Sequence, residues 1–89
     1  MAAGRPRSRV LDGFLLLYSC RVKLPHEAIR SKLASMNITD VTEEDLEFFK
    51  NLTYLDISDN RVQLHQLMNL VSLQELDMQY NQVDQLQLA

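Results

Sequence analysis

One eleven-residue pattern occurs twice in this chain, 21 residues apart, and it constrains the fold more than any other feature. Each copy has leucine at its first and fourth positions, isoleucine or methionine at its sixth, asparagine at its ninth and valine at its eleventh. The positions are Leu52, Leu55, Ile57, Asn60 and Val62 in the first copy, and Leu73, Leu76, Met78, Asn81 and Val83 in the second. Self-similarity at a fixed period predicts stacked structural repeats.

The middle of each copy has the alternation of a short strand. Leu55 and Ile57 would point to the same face of that strand, as would Leu76 and Met78, and that face is predicted to be buried. The asparagine has a different predicted role, because its amide can bond backbone groups that a tight turn leaves unpaired. All ten pattern positions are therefore interpreted as structural.

The spacing L-x-x-L-x-L-x-x-N-x-L, with a period of about 20–29 residues, resembles the leucine-rich-repeat family. The resemblance implies an α/β solenoid, a short leucine-rich-repeat array with parallel strands on its concave face. An offset of 24 from Val62 to Ile38 predicts an earlier, degenerate repeat, with Ser31 in place of Leu55 and Met36 in place of the turn asparagine. Solenoids need about three repeats for stability, so the chain is expected to be a truncated or N-terminal piece of a longer array.

These patterns divide the chain into three predicted segments. Residues 1–10 are expected to form a disordered basic tail, residues 11–37 a capping segment or degenerate repeat, and residues 38–89 leucine-rich repeats of which the last is incomplete. The apolar run Phe14–Tyr18 is predicted to be a strand that packs on the first repeat. Thr42, followed by three acidic residues, predicts a helix N-terminus, with Leu46 and Phe49 packed inward and Phe48 as a further candidate.

The exposed positions of the two predicted strands form the candidate site. Register stacking would place Tyr54 beside Glu75 and Asp56 beside Asp77, with strands about 4.8 Å apart. Repulsion between the two aspartates would be relieved by a basic partner; the alternative is that solvent screens them. The predicted partner-binding residues on the concave face are Tyr54, Asp56, Ser58, Asp59, Glu75, Asp77, Gln79 and Tyr80.

Charge and motifs narrow the function classes. Residues 1–32 carry seven bases and two acids, whereas residues 33–89 carry two bases and ten acids. The acidic repeat face argues against nucleic acid there. No phosphate-binding loop or nucleophile-elbow motif is present, and His26 and His65 are predicted to be separate surface residues. The prediction is a non-catalytic protein-protein interaction module with no cofactor, no metal, no small-molecule substrate and no membrane span.

Several alternatives stay open at this point. The chain could be a structural cap of a longer array, or an extracellular recognition module glycosylated at Asn37 or Asn51, both of which lie in glycosylation sequons. The arginines before Phe14 also resemble the start of a secretory signal or a mitochondrial presequence. A single cysteine, Cys20, instead favours a reducing, cytoplasmic or nuclear location. The run 38–49 resembles leucine-rich-repeat proteins linked to the cellular response to X-ray radiation, which implies no catalytic residue.

Overall fold

The computed structural model of the chain describes residues 7–81, which form a small α/β domain with parallel strands in two sheets. The elements of this domain are β1 (Arg9–Leu11), α1 (Gly13–Cys20), β2 (Arg30–Lys32), β3 (Ile38–Val41), α2 (Glu43–Leu46), β4 (Tyr54–Asp56) and β5 (Glu75–Asp77), with 3₁₀ turns at Pro25–Glu27 and Leu64–Leu67. Val83, Leu86 and Leu88, which the sequence places in the last repeat, lie outside the described residues.

The larger sheet has the order β2-β4-β5, with all three strands parallel. Between β4 and β5 the register is the predicted one, with Tyr54 beside Glu75 and Asp56 beside Asp77. Between β2 and β4, Ser31 lies beside Leu55, which confirms the equivalence inferred from the 24-residue offset. Thus β2 belongs to the same sheet as the two clear repeats, although it lies in the segment 11–37.

Two corrections concern the N-terminal part. The run Phe14–Tyr18 is helical and not a strand, because it lies inside α1. The Asp12 side chain accepts a hydrogen bond from the Leu15 N–H at 2.9 Å and so caps the helix, while Arg21, at φ 57°, ends it in the left-handed conformation. The strand in this region is β1, which pairs with β3; it begins at Arg9, so the predicted tail does not extend to residue 10.

The predicted helix after Thr42 is present as a single turn, without the side-chain cap that was expected from Thr42. It spans Glu43–Leu46, and the Thr42 side chain makes no capping hydrogen bond. Leu46 and Phe49 are buried as predicted, but Phe48 is 65% exposed, so its inward packing is corrected. With only one turn of helix, Leu46 and Phe49 share the core side of the segment, while Phe48 falls on the opposite side.

Ser31 is buried at a position where the next strand has a leucine. Its hydroxyl forms a hydrogen bond with the Ser19 hydroxyl of α1, and the same helix buries Leu16 in the core. Strand β4 has β2 as its neighbour on one side, whereas β2 is contacted there by the helix α1. The small polar residue therefore satisfies its hydroxyl against α1 while leaving room for the helix to approach.

Candidate functional site

The side of the β2-β4-β5 sheet opposite the core is the predicted partner-binding surface, here called the strand face. Alternation buries Ser31 and Leu55 on the other side and leaves their neighbours exposed or half-exposed. The strand face consists of Arg30 and Lys32 from β2, Tyr54 and Asp56 from β4, and Glu75 and Asp77 from β5. The structure thus brings together four residues of the predicted site and adds two bases.

Arg30 and Lys32 were missed by the sequence interpretation, which treated the repeat face as acidic. Counting back 24 residues from Tyr54 and Asp56 leads to both of them, and the register confirms the pairing. The 24-residue spacing could have identified both bases. They were missed because charges were counted separately for residues 1–32 and 33–89, which assigned both bases to the N-terminal segment. The strand face is basic on its first strand and acidic on its last.

Arg30 contacts Tyr54 across the first two strands. The guanidinium carbon lies 4.1 Å from the centre of the tyrosine ring, within the range of a cation–π contact. This contact holds the ring of Tyr54, which is half-buried, at the centre of the strand face. A ring fixed in this way loses little conformational entropy when a partner packs on it.

Asp56 and Asp77 each accept hydrogen bonds from the residue two positions further along. The Oδ1 of Asp56 accepts from both the N–H and the hydroxyl of Ser58, at 3.0 and 2.7 Å. The Oδ1 of Asp77 accepts from the N–H of Gln79 at 3.1 Å. Both carboxylates therefore close the turn after their own strand, an Asx arrangement. This gives the pair a structural role that does not require a basic partner.

The turn asparagines make the backbone hydrogen bonds predicted for them. Asn60 accepts from the N–H groups of Met36 and Ile38 at 3.1 and 2.8 Å, and its amide donates to Leu33 O, Ile57 O and Ser58 O. Asn81 accepts from Val62 N–H at 2.8 Å, and donates to Ile57 O at 2.8 Å. Each asparagine thus ties its own turn to the preceding one.

A positive φ recurs at the residue before Asn60, before Asn81 and before Met36, which occupies the equivalent position. Ser35, Asp59 and Tyr80 have φ of 57°, 53° and 61°, and they are spaced by 24 and 21 residues. The Ser35 hydroxyl donates to Asp59 Oδ2 at 2.8 Å, and the Asp59 N–H donates to Gln79 O at 2.8 Å. The left-handed region is costly for a bulky residue, yet Tyr80 occupies it with 81% of its surface exposed.

Asp59 and Tyr80 line one polar recess at this edge of the sheet. The other lining residues are Asn37, Asn60, Arg61 and Asn81. Of the remaining predicted site residues, Ser58 is half-buried and bonded to Asp56, while Gln79 is exposed. All eight predicted partner-binding residues therefore lie along β4, β5 and the turns that follow them.

Other candidate groups lie apart from this surface. His26 and His65 are exposed and belong to different 3₁₀ turns, as predicted. Within residues 7–81 no group of three or more histidine, cysteine or carboxylate side chains is arranged to hold a metal. Cys20 is half-buried, and its thiol donates to Arg30 O at 3.1 Å. The Asn51 amide donates to His26 O at 2.9 Å.

The helices of the described segment are all too short or too polar to cross a bilayer. Comparisons of the chain with protein-family models, with curated proteins and with solved structures found no match.

Proposed function

We propose that this chain is a short array of leucine-rich repeats that binds another protein through its strand face, without catalysis. The observation that carries the proposal is the repeated register. Three strands present their exposed side chains in two columns, Arg30, Tyr54 and Glu75 in one and Lys32, Asp56 and Asp77 in the other. Side chains held at fixed spacing on a rigid sheet are suited to recognition of a complementary surface.

The partner surface that fits these columns carries both charges. Glu75 and Asp77 on β5 favour bases, as the sequence predicted, whereas Lys32 on β2 favours acids. Tyr54, between them, and the exposed Tyr80 supply the aromatic contacts that are enriched at interfaces. The turn holds Tyr80 at positive φ, which carries a backbone cost for a bulky residue, and burial of its exposed ring against a partner would offset that cost.

Affinity enrichment from cell extract tests this proposal, with a charge reversal on the strand face compared with one outside it. The full chain is compared with a double variant, Tyr54→Ala with Glu75→Lys, and with the control Glu47→Lys, which reverses an exposed glutamate outside the strand face. We expect at least one protein to be retained by the wild type and the control and lost with the double variant. Equal recovery on all three would contradict the proposal.

The second candidate function is that of a structural N-terminal cap, and the contacts of α1 favour it. The helix buries Leu16 and bonds to β2 through Ser19 and Cys20, so it covers the edge of the sheet next to the first strand. Fusing consensus repeats after Ala89 tests this function. A capping role predicts a higher midpoint of thermal unfolding, measured by circular dichroism, than for the same repeats carrying only residues 22–89.

The remaining interpretations stay predictions. They are a link to the X-ray response, a cytoplasmic or nuclear location, and the glycosylated extracellular alternative. The Asn51 amide nitrogen to which a glycan would attach donates a hydrogen bond to His26 O. Removal of N-linked glycans from the secreted and the intracellular forms of the expressed chain, read as a mass shift, separates these alternatives.

A further inference from the structure

The outer side of α1 carries two large aromatic residues that the core does not use. Phe14 and Tyr18 are 80% and 77% exposed, and they lie one turn apart on the same side of the helix. Leu16, on the other side, is fully buried. The capping function needs only the inner side, so packing within the domain leaves Phe14 and Tyr18 unexplained.

Two shallow grooves run on either side of Tyr18, here together called the α1 groove. The first is lined mainly by Val10, Phe14, Leu15, Tyr18 and Met36, and the second mainly by Leu17, Tyr18, Val22 and Met36. Tyr18 and Met36 are common to both, so the two grooves adjoin. Most of the residues that line them are apolar, which suits an apolar anchor of a partner.

Met36 occupies the position where the two later turns have asparagine. Asn60 and Asn81 use their amides to bond the turn of the preceding unit, whereas the element that contacts β2 on the side away from β4 is the helix α1, not a preceding strand with such a turn. An asparagine at position 36 would lack the N–H groups of a preceding turn from which Asn60 and Asn81 accept hydrogen bonds. A half-buried methionine contributes an adaptable apolar surface to the groove instead.

Basic side chains also line both grooves. Arg9 lines the first groove, and Arg21 and Lys32 line the second; all three residues are exposed. The acidic residue of the lining is Asp12, whose carboxylate is occupied in accepting the Leu15 N–H. The charge balance of the α1 groove is therefore positive, opposite to the acidic β5 end of the strand face.

We infer that the α1 groove binds an acidic peptide segment that carries apolar anchors. The anchors pack on both sides of Tyr18 against Met36, and the carboxylates of the segment pair with Arg9, Arg21 and Lys32. Apolar burial supplies most of the affinity, and the bases set the sign of charge that is accepted. This site is centred on α1 and shares only Lys32 with the strand face. It selects the opposite charge to β5, so it goes beyond the proposed function.

Fluorescence anisotropy with labelled peptides tests the inference on the full 89-residue chain. The probes are peptides of about ten residues, an extended length of about 30 Å, in which aspartate or glutamate flanks leucine and phenylalanine in several spacings. Matched peptides have lysine at every acidic position. We expect the chain to bind at least one acidic peptide and none of its lysine counterparts, with affinity that falls as salt is raised because screening weakens the charge pairing.

Two tyrosine substitutions distinguish this site from the strand face. Tyr18→Ser removes the central anchor and should weaken binding about tenfold or more, whereas Tyr80→Ser removes an equally exposed tyrosine elsewhere and should leave the affinity unchanged. Far-UV circular dichroism of both variants verifies that each retains the fold.

Three results would overturn the inference. They are equal affinity of Tyr18→Ser and the wild type, equal binding of the lysine peptides, and binding to vesicles of phosphatidylcholine with phosphatidylserine without binding to any acidic peptide. Failure of the strand-face test leaves this measurement unaffected, because Tyr54 and Glu75 do not line the α1 groove.

Discussion

The repeat around β4 and the repeat around β5 have the same sequence pattern but differ in how completely they are buried. Leu55 and Ile57 are fully buried, whereas Leu76 and Met78, at the same positions of the pattern, are only half-buried. Strand β4 has β2 on one side and β5 on the other, while within residues 7–81 β5 pairs only with β4. A repeat of this kind therefore owes the burial of its apolar residues to its neighbours, as expected for stacked units.

The largest expected effect compares leucines at the same position of the pattern. Leu55→Ala should cost about 3–4 kcal/mol of the free energy of unfolding, because it opens a cavity in a fully packed core, and Leu76→Ala should cost about 1–2 kcal/mol. Urea titration followed by circular dichroism measures both values. Equal costs for the two variants would contradict the difference in burial.

The next effect compares the two turn asparagines. Asn60 is 5% exposed, and Asn60→Ala should cost about 3 kcal/mol, since the substitution removes its whole hydrogen-bond network and leaves the N–H of the fully buried Ile38 unpaired away from solvent. Asn81→Ala should cost about 1–2 kcal/mol, because Asn81 is itself half-buried and its hydrogen bonds to Val62 N–H and Ile57 O are only partly buried, so water can replace its amide. The same urea titrations provide the measurement. An Asn60→Ala variant as stable as Asn81→Ala would show that the network of Asn60 is replaced by water.

Fusion of consensus leucine-rich repeats after Ala89 should remove the difference between the two repeats. If the array continues beyond β5, the new strand covers Leu76, and the cost of Leu76→Ala should rise by about 1–2 kcal/mol toward that of Leu55→Ala. The free energy of unfolding is measured with and without the substitution in the fused chain. No change in that cost would contradict the proposal that the units stack as a solenoid.

The smallest expected effect concerns the backbone of Tyr80. At φ 61° glycine carries no steric penalty, so Tyr80→Gly should be more stable than Tyr80→Ala by about 1 kcal/mol. Both variants lose the ring, and their difference therefore reports the backbone conformation alone. Val71, an exposed residue outside the positive-φ group, serves as the control, and there alanine should be the more stable substitution. Thermal unfolding monitored by circular dichroism compares the four variants.

The sequence predicted the parts of the fold that depend on repetition. The register of Tyr54 with Glu75, the equivalence of Ser31 with Leu55 and the hydrogen-bonding role of Asn60 all follow from spacing. The 24-residue offset applied to Tyr54 and Asp56 also predicts that Arg30 and Lys32 lie beside them. Periodic features can be predicted from one sequence because each repeat can be aligned with the next.

The N-terminal part was not predictable in the same way because it has no second copy in the chain. The run Phe14–Tyr18 is apolar enough for either a strand or a helix, and an apolar run of this length does not separate the two by periodicity. The Asp12 cap and the left-handed Arg21 determine the helical outcome. The exposure of Phe48 likewise depended on which side of the one-turn helix α2 packs against the core.

The sequence by itself determined that two, and more weakly three, segments repeat, which of their residues are apolar and where their turns lie. It did so because the apolar pattern and the turn asparagines are local features with a fixed period. The tertiary structure decided that Arg30 stacks on Tyr54, that Asp56 and Asp77 close their own turns, and that α1 leaves Phe14 and Tyr18 exposed. These outcomes depend on which segments lie next to each other, and packing between segments distant in sequence selects that arrangement.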